Sequence, residues 1–341
     1  MNLKELAENL GLSQTTVSRA LNGYPEVNEA TRNRVRLAAE RFNYRPNTRA
    51  KGLATGRTMA IGHVLPISGK HEMVNPIFGD FIAGAGEAYS AHGYDMVLSI
   101  VDDNNELQAY RDLKAKGTID GFMIHAPRLD ETRIELMQEL NLPCGVHGRA
   151  QNVEIAFSWV DVNNTQAVER AAKFLIELGH RRIALFNGLE SMDFAQRRRK
   201  GYLSALEQNG IAEDSQLMVS AEMTERMGHD TLLRMLDIED PPTAVLVSSL
   251  ITAIGVRRAA TDRGMKLGRD LSLITHDDVL GYFPNYGAEP IFTATQSSVR
   301  DAGRIGAEML ISQITAPQAF PPTRLLEAQL VVGASTGPVP S

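Results

Sequence analysis

Residues 12–21 read Leu12-Ser13-Gln14-Thr15-Thr16-Val17-Ser18-Arg19-Ala20-Leu21. Ser13 suits a helix N-cap, because its hydroxyl accepts from first-turn amides, and Val17, Ala20 and Leu21 then recur at i, i+3 and i+4. One narrow apolar seam results. The other face carries Gln14, Thr15, Ser18, Arg19 and Asn22, short hydrogen-bonding groups plus one guanidinium, the chemistry that meets base edges and phosphates in a DNA major groove. Just upstream, Leu3, Leu6, Ala7 and Leu10 make a first amphipathic helix, and Gly11 supplies the turn. Two short helices joined through a glycine read as a helix-turn-helix with the second as recognition helix. Similar pairs occur in helical proteins that bind no DNA, so spacing alone leaves both readings open.

Further out, Asn28 caps a third helix in which Val35, Ala38, Ala39 and Phe42 repeat at helical spacing and close a three-helix core, and Pro46 stops it. From Asn47 to Gly56, Ala50, Leu53 and Ala54 fall at i, i+3 and i+4 beside Arg49, Lys51 and Arg57. A helix this short is marginal alone and orders on docking; a plain linker is the alternative. Leu-Ser-Gln-Thr-Thr-Val-Ser-Arg-Ala-Leu-Asn-Gly at 12–23, Val27-Asn28-Glu29-Ala30-Thr31-Arg32 and Asn43-Tyr44-Arg45-Pro46-Asn47 together closely resemble the headpiece of the lactose-repressor/galactose-repressor (LacI/GalR) family of bacterial transcription factors. The resemblance implies a helix-turn-helix domain over 1–46 and a hinge helix over 47–57, paired across a dimer in the operator's minor groove with Leu53 as the wedge. The residues it assigns to DNA are Ser13, Gln14, Thr15, Thr16, Ser18, Arg19, Asn22, Asn47, Ala50 and Leu53. A basic segment with an apolar wedge is how minor-groove binders kink DNA.

From Thr58 the pattern changes. Apolar runs at 60–65, 96–101, 121–125, 144–147, 183–186, 244–247 and 271–275 alternate with helical stretches at 78–91, 166–178, 195–208, 251–263 and 301–314, which predicts parallel sheets flanked by helices. The stretch is long for one doubly wound domain, so two subdomains are expected. The fold class is therefore an all-α helix-turn-helix headpiece plus an α/β body. The resemblance makes the body, 58–335, two-lobed and periplasmic-binding-protein-like, with an effector cleft. It puts the N-lobe at about 58–160 and 292–320, the C-lobe at about 161–291 and 321–335, and the crossings near 159–163, 289–294 and 320–323.

Ligands of open α/β sheets bind beyond the carboxyl ends of strands. Asn75-Pro76-Ile77-Phe78 follows the first strand and resembles the family's cleft-mouth segment; Phe78 is a platform for a ring or a core aromatic, and both stay open. In Arg197-Arg198-Arg199-Lys200-Gly201-Tyr202 the arginine three before Gly201 is Arg198, which by resemblance donates paired bonds to the effector, a task its planar fork suits. His276-Asp277-Asp278 follows a strand where relatives show an aromatic and an Asp pair, and Asp277 is the expected acceptor. Adjacent carboxylates also suggest glycosidase chemistry, but neighbours at a strand end point apart, whereas that chemistry needs two carboxyls flanking one bond. Two departures from the family matter. Ser248-Ser249-Leu250 stands where many relatives carry Asn-Asp, leaving Ser249 as the contact, and His147-Gly148-Arg149 stands where they often have Asp-Arg. His147 and Arg149 are therefore effector candidates, in a motif similar to repressors of α-glucoside use.

Composition bounds the rest. At 341 residues and 43% apolar the chain holds substantial cores, and the single cysteine, Cys144, excludes a disulfide framework and a cysteine-based metal site. No H-x-x-x-H or HExxH spacing appears, so no metal and no cofactor are expected. Gly84-Ala85-Gly86 lies inside a helical stretch and is no dinucleotide loop. The net charge of −6 hides a head of ten Lys and Arg against five Glu over 1–57, and a body of 25 against 36. That asymmetry suits a head attracted to phosphates. With no 18-residue apolar run and no signal-like start, a soluble cytoplasmic protein is expected. The chain ends without leucine heptads, which argues for a homodimer. The expected partners are thus a palindromic operator and a mono- or disaccharide, the expected function a sequence-specific repressor of a carbohydrate-utilisation operon released by its sugar, and no enzymatic role. The alternatives are a transport-type sugar-binding protein, a co-repressor-dependent regulator, and a sugar-modifying enzyme. Leu53→Ala is expected to weaken operator binding by more than about 1 kcal/mol, because a wedge acts through the bend it stabilises, with sugar affinity intact; fluorescence anisotropy on labelled operator measures it.

Overall fold

Periodicity in the first fifty residues becomes three helices: α1 (Leu3–Leu10), α2 (Gln14–Leu21) and α3 (Glu29–Arg41). The computed structural model describes residues 1–21, 23–44, 57–66, 76–285, 289–317 and 320–340, so Asn22, Asn47, Ala50, Leu53 and Asn75 lie outside the described residues. Asn2 and Glu5 form a reciprocal capping box on α1, and Gly11, at φ 63°, closes it in the left-handed conformation that glycine adopts without a Cβ clash. Ser13 caps α2, its Oγ accepting the Thr16 amide at 3.0 Å. Leu6, Ala7, Leu10, Val17, Ala20, Val35 and Ala39 bury a common core. Phe42 is a correction: it is 39% exposed, since it caps α3 beyond its last turn, and Tyr44 packs against the core.

The chain divides into two compact units, Met1–Met59 with Gly117–Asp120 and the remaining residues. Within the second unit, two six-stranded sheets form among the described residues. The first comprises β1 (Ala60–Pro66), β2 (Asp95–Val101), β3 (Gly121–His125), β4 (Cys144–His147), β5 (Ser158–Val162) and β11 (Thr323–Leu326), in the order β11-β5-β4-β3-β1-β2, all parallel. The second comprises β6 (Ile183–Asn187), β7 (Met218–Ser220), β8 (Ala244–Val247), β9 (Ser272–Asp277), β10 (Thr293–Gln296) and β12 (Gln329–Val331), in the order β12-β10-β9-β8-β6-β7, with β12 antiparallel. Parallel sheets must be covered on both faces. Here α4 (Pro76–Ala91) packs on α11 (Val299–Thr315), α7 (Asn164–Glu177) on α8 (Asp193–Gln208), and α9 (Glu225–Leu236) on α10 (Leu250–Asp262). Two further helices, α5 (Glu106–Lys116) and α6 (Arg133–Glu139), complete the first lobe.

The expected lobe boundaries at 291/292 and 320/321 do not follow the sheets. β10 pairs with β9 in the second sheet, while β11 pairs with β5 in the first. The chain crosses after β5, between β10 and α11, and between β11 and β12. A polar four-residue strand carries no periodic signal of its own, so only its pairing assigns it to a lobe. Likewise α5, α6 and α9 were not expected.

The α4–α11 contact is close enough that side chains are excluded from it. A Cβ on Gly84 would lie 1.9 Å from the Arg300 carbonyl oxygen, and one on Gly303 would lie 2.1 Å from that of Phe81. Gly86, in the same helix, faces open space. Gly303→Ala is therefore expected to destabilise the fold by about 1–3 kcal/mol through overpacking, whereas Gly86→Ala is neutral or stabilising by up to about 1 kcal/mol; urea unfolding midpoints separate the two.

Candidate functional site

The carboxyl ends of β1, β3, β4, β8, β9 and β10 converge on a cavity of about 190 Å³ between the sheets. Phe78, His147, Arg149 and Arg198, four of the sequence candidates, line it. Ser249 and Asp277 do not; Ser248 and Asp278 take their places. Side chains alternate along a strand, so an error of one residue reverses the face. β9 extends through Asp277, which leaves His276 and Asp278 facing the cavity together. Ser249 is consumed as the N-cap of α10, its Oγ accepting the Thr252 amide at 3.2 Å.

Arg198 projects from α8 and is 6% exposed. Its Nε donates to Asn164 Oδ1 at 2.7 Å and its Nη1 to the Ser248 carbonyl at 2.5 Å, and its guanidinium lies 5.1 Å from the centre of the Phe194 ring. No carboxylate lies within ion-pair distance of it among the described residues. Burial lowers its pKa, against the opposing charges of Asp278 and Asp161. Burial alone would raise Asp278, but His276, Arg198 and His147 outweigh that and hold its carboxyl below the ordinary value. Arg149 is spent on Asp161, to whose Oδ2 its Nε donates at 2.8 Å, and lies over Trp159. Arg198, Ser248, His276 and Asp278 thus come from the second lobe, Asn164 from the β5–α7 crossing, and the Arg149–Asp161 pair from the ends of β4 and β5.

The first lobe supplies an aromatic wall. His147 stacks on Phe81 with centroids 4.2 Å apart, and His125 meets Phe78 edge to face at 5.1 Å. His125 Nε2 lies 2.9 Å from His63 Nδ1, whose Nε2 reaches the Tyr89 hydroxyl at 3.1 Å. Desolvation lowers His63 to about 3 and His147 to about 4, and takes His125 well below the usual value. All three rings are uncharged at neutral pH. His125, His276, Asp278, Asn164 and Ser248 were missed in the sequence: His125 ends β3, His276 is the last residue but one of β9, Ser248 and Asp278 follow β8 and β9 by one residue, and Asn164 opens α7, so no single spacing rule marks them.

Arg133 also borders the cavity but is fully engaged. Its backbone N–H and Nε both donate to Glu131 Oε1, and its Nη1 donates to Glu106 Oε1 at 3.0 Å. Burial alone would raise Glu131; its bonds to Arg133 win and lower it. This cluster anchors the 126–133 loop, from which the Pro127 carbonyl accepts the Asp193 amide and the Leu129 amide donates to the Ser191 carbonyl, joining the cavity's two walls.

In the N-terminal unit, Ser13, Gln14, Thr15 and Arg19 are exposed on α2, while Thr16 and Ser18 are half-buried. Thr16 is partly engaged, its Oγ1 lying 2.8 Å from Ser13 Oγ.

Residues 2–47 match the pattern of bacterial regulatory proteins of the lacI family, and 172–336 match a periplasmic binding protein-like domain. The HTH-type transcriptional regulator AglR of Rhizobium meliloti (strain 1021) is 44% identical over 340 residues, spanning 100% of this chain and 95% of that protein. The chain belongs to the LacI family of bacterial regulatory proteins. A LacI-family regulator is a DNA-binding transcription factor, and α1–α3 are its helix-turn-helix domain. The solved CelR–cellobiose complex is 26% identical with a TM-score of 0.73, covering 98% of this chain and 99% of that one. The lac repressor dimer bound to operator and the anti-inducer ONPF shares the fold, at 24% identity and a TM-score of 0.82, with 98% and 99% covered. Among the described residues no helix is long and apolar enough to cross a membrane.

Arg133→Met strips buried Glu131 of its guanidinium, while Glu106 keeps Arg128 at 3.4 Å, and is expected to destabilise the fold by about 3–5 kcal/mol at pH 7. Glu131 is lowered in the fold, so its contribution is complete above its ordinary value of 4.5 and is lost as pH falls through the folded value. The gap between variant and wild type should therefore narrow below about pH 4.5, as Glu131 protonates; denaturant melts across pH test this.

Proposed function

We propose that this LacI-family regulator is a cytoplasmic homodimeric repressor of a carbohydrate-utilisation operon, released from a palindromic operator when a neutral mono- or disaccharide occupies the cavity. The observation that carries this reading is that a buried guanidinium, Arg198, and a carboxylate held below its ordinary pKa, Asp278, line the same cavity as the aromatic wall of Phe78, His125 and His147. A sugar offers hydroxyls that donate to a carboxylate and accept from a guanidinium, and an apolar ring face for aromatic groups. A charged ligand would lose on one side what it gained on the other.

The proposed DNA contacts are Ser13, Gln14, Thr15, Thr16, Ser18 and Arg19 on α2, with Asn22, Asn47, Ala50 and Leu53 contributing from outside the described residues. Exposure of Gln14, Thr15 and Arg19 supports base and phosphate contact by this face. The proposed effector contacts are Phe78, His147, Arg149 and Arg198, with Ser248 and Asp278. α-Linked glucosides are the first ligands to test, supported by the His147-Gly148-Arg149 motif, and cellobiose is the β-linked comparison because the related CelR was solved with it. On this reading the protein regulates and does not catalyse; turnover of a bound sugar would overturn that.

The coupling is one of linkage. A sugar that prefers one lobe arrangement shifts the dimer away from its DNA-competent form, and only by its differential affinity. In a thermal-shift screen of monosaccharides and disaccharides including maltose, sucrose and cellobiose, a ligand at a hundred times its Kd should add about 2.7 kcal/mol of stability. The same sugar should release labelled operator, whose binding falls steeply with salt. A sugar that binds without altering operator affinity would defeat the coupling, and one that tightens it would make the protein co-repressed.

A further inference from the structure

We infer that Asp120 is a positioning residue for operator binding: its carboxylate fixes a left-handed turn at Met59, and that turn sets the path by which the chain enters β1 from the DNA-binding domain. The inference goes beyond the effector reading and does not depend on it.

Three donors converge on this one carboxylate. Asp120 Oδ1 accepts the Thr58 amide at 2.6 Å and the Thr58 hydroxyl at 2.9 Å, and Oδ2 accepts the Met59 amide at 2.9 Å. A step into the left-handed region turns successive N–H groups toward one side, where they cradle an anion. Here that step is Met59, at φ 55°. A non-glycine residue keeps such a conformation only where its surroundings impose it, and bonds from backbone amides to a carboxylate are roughly twice as strong as those to a neutral acceptor.

The turn sits at a boundary. The two compact units of the chain divide between Met59 and Ala60 and again between Asp120 and Gly121. Met59 directly precedes β1 and Asp120 directly precedes β3, neighbouring parallel strands registered with Ile61 opposite Gly121. The carboxylate therefore ties the entries of both strands together. The entry of β3 is itself closely held: a Cβ on Gly121 would lie 2.8 Å from the Pro143 carbonyl oxygen, and the Phe122 amide donates to that oxygen at 3.0 Å. At their other ends the same strands carry Val64, Leu65, Pro66 and His125 of the cavity. An extended Met59 would lose its bond to Asp120 and send the preceding residues along another path. A protein that reads two half-sites needs each DNA-binding unit delivered at a set spacing, and a freed junction lowers the effective concentration of the second unit at its half-site.

The test uses the full-length protein and a fluorescein-labelled duplex selected by the wild type from random-sequence DNA. An unrelated duplex of the same length is the control, and anisotropy is read at one salt concentration because phosphate contacts are salt-dependent. Asp120→Ala should weaken binding of the selected duplex by at least about tenfold, since it removes an acceptor shared by two amides and a hydroxyl. Met59→Pro should do the same from the other partner, because proline has no N–H and cannot reach φ 55°. Met59→Gly keeps the amide and accepts the left-handed conformation, so it should stay within about threefold of wild type. The unrelated duplex, held by phosphate contacts, should bind Asp120→Ala and Met59→Pro within about twofold of wild type. Equal losses on both duplexes would show a general weakening of the protein and overturn the inference, as would full affinity of Asp120→Ala and Met59→Pro for the selected duplex. Far-UV circular dichroism verifies the fold. If Asp120→Ala does not fold, Asp120→Asn decides in its place, since its Oδ1 still accepts from Thr58 while its Nδ2 confronts the Met59 amide. A loss of at least about threefold confined to the selected duplex then supports the positioning role, and full affinity defeats it.

Discussion

Burying a guanidinium without a paired carboxylate loses several kcal/mol of hydration that its surroundings must replace. Arg198 meets that demand with an amide oxygen from Asn164, a backbone carbonyl from Ser248 and the ring of Phe194, while Asp278 and Asp161 act on it through the field. Each partner comes from a different element, so the guanidinium ties the amino end of α7, the end of β8 and the start of α8 into one structure. The arrangement satisfies Arg198 and leaves Asp278 facing open space. On the proposed reading, a ligand with hydroxyls completes it.

The first lobe answers with neutrality. Three histidines that would be partly charged in water are held uncharged by burial; His125 and His147 stack or cross against Phe78 and Phe81, and His63 stacks on His125. The charges of Arg133, Arg128, Glu131 and Glu106 lie next to this wall but pair among themselves. The cavity therefore has one polar side and one apolar side, a division that suits a sugar lying flat against the aromatic groups.

Rigidity within each lobe follows from helix pairs such as α4 and α11, whose contact admits only glycine at Gly84 and Gly303. A closely packed lobe moves as a body, so ligand-driven change concentrates at the three crossings and at the loop contacts between Pro127–Leu129 and Ser191–Asp193. In this way filling a small cavity can reach a DNA-binding domain through population shift without remodelling either lobe.

The sequence by itself determined the headpiece helices and the alternation of strands and helices, because both are written in local periodicity: Val17, Ala20 and Leu21 on one seam, Leu6, Ala7 and Leu10 on the other, and apolar runs broken by amphipathic stretches; that the helix pair is a DNA-binding helix-turn-helix came from the family resemblance of its motifs. It also marked Phe78, His147, Arg149 and Arg198, since strand ends and the arginine before Gly201 are local features. The tertiary structure decided everything that turns on pairing or parity. β10 and β11 were too short to declare their sheet, and β9 runs two residues past its expected end at Thr275, which keeps Asp277 within the strand and leaves Asp278 at the cavity. Ser249 was likewise lost to a helix cap that leaves Ser248 at the cavity. His125 and His276 became visible only when strands distant in sequence brought their ends together, because a side chain's environment is set by what the fold packs around it.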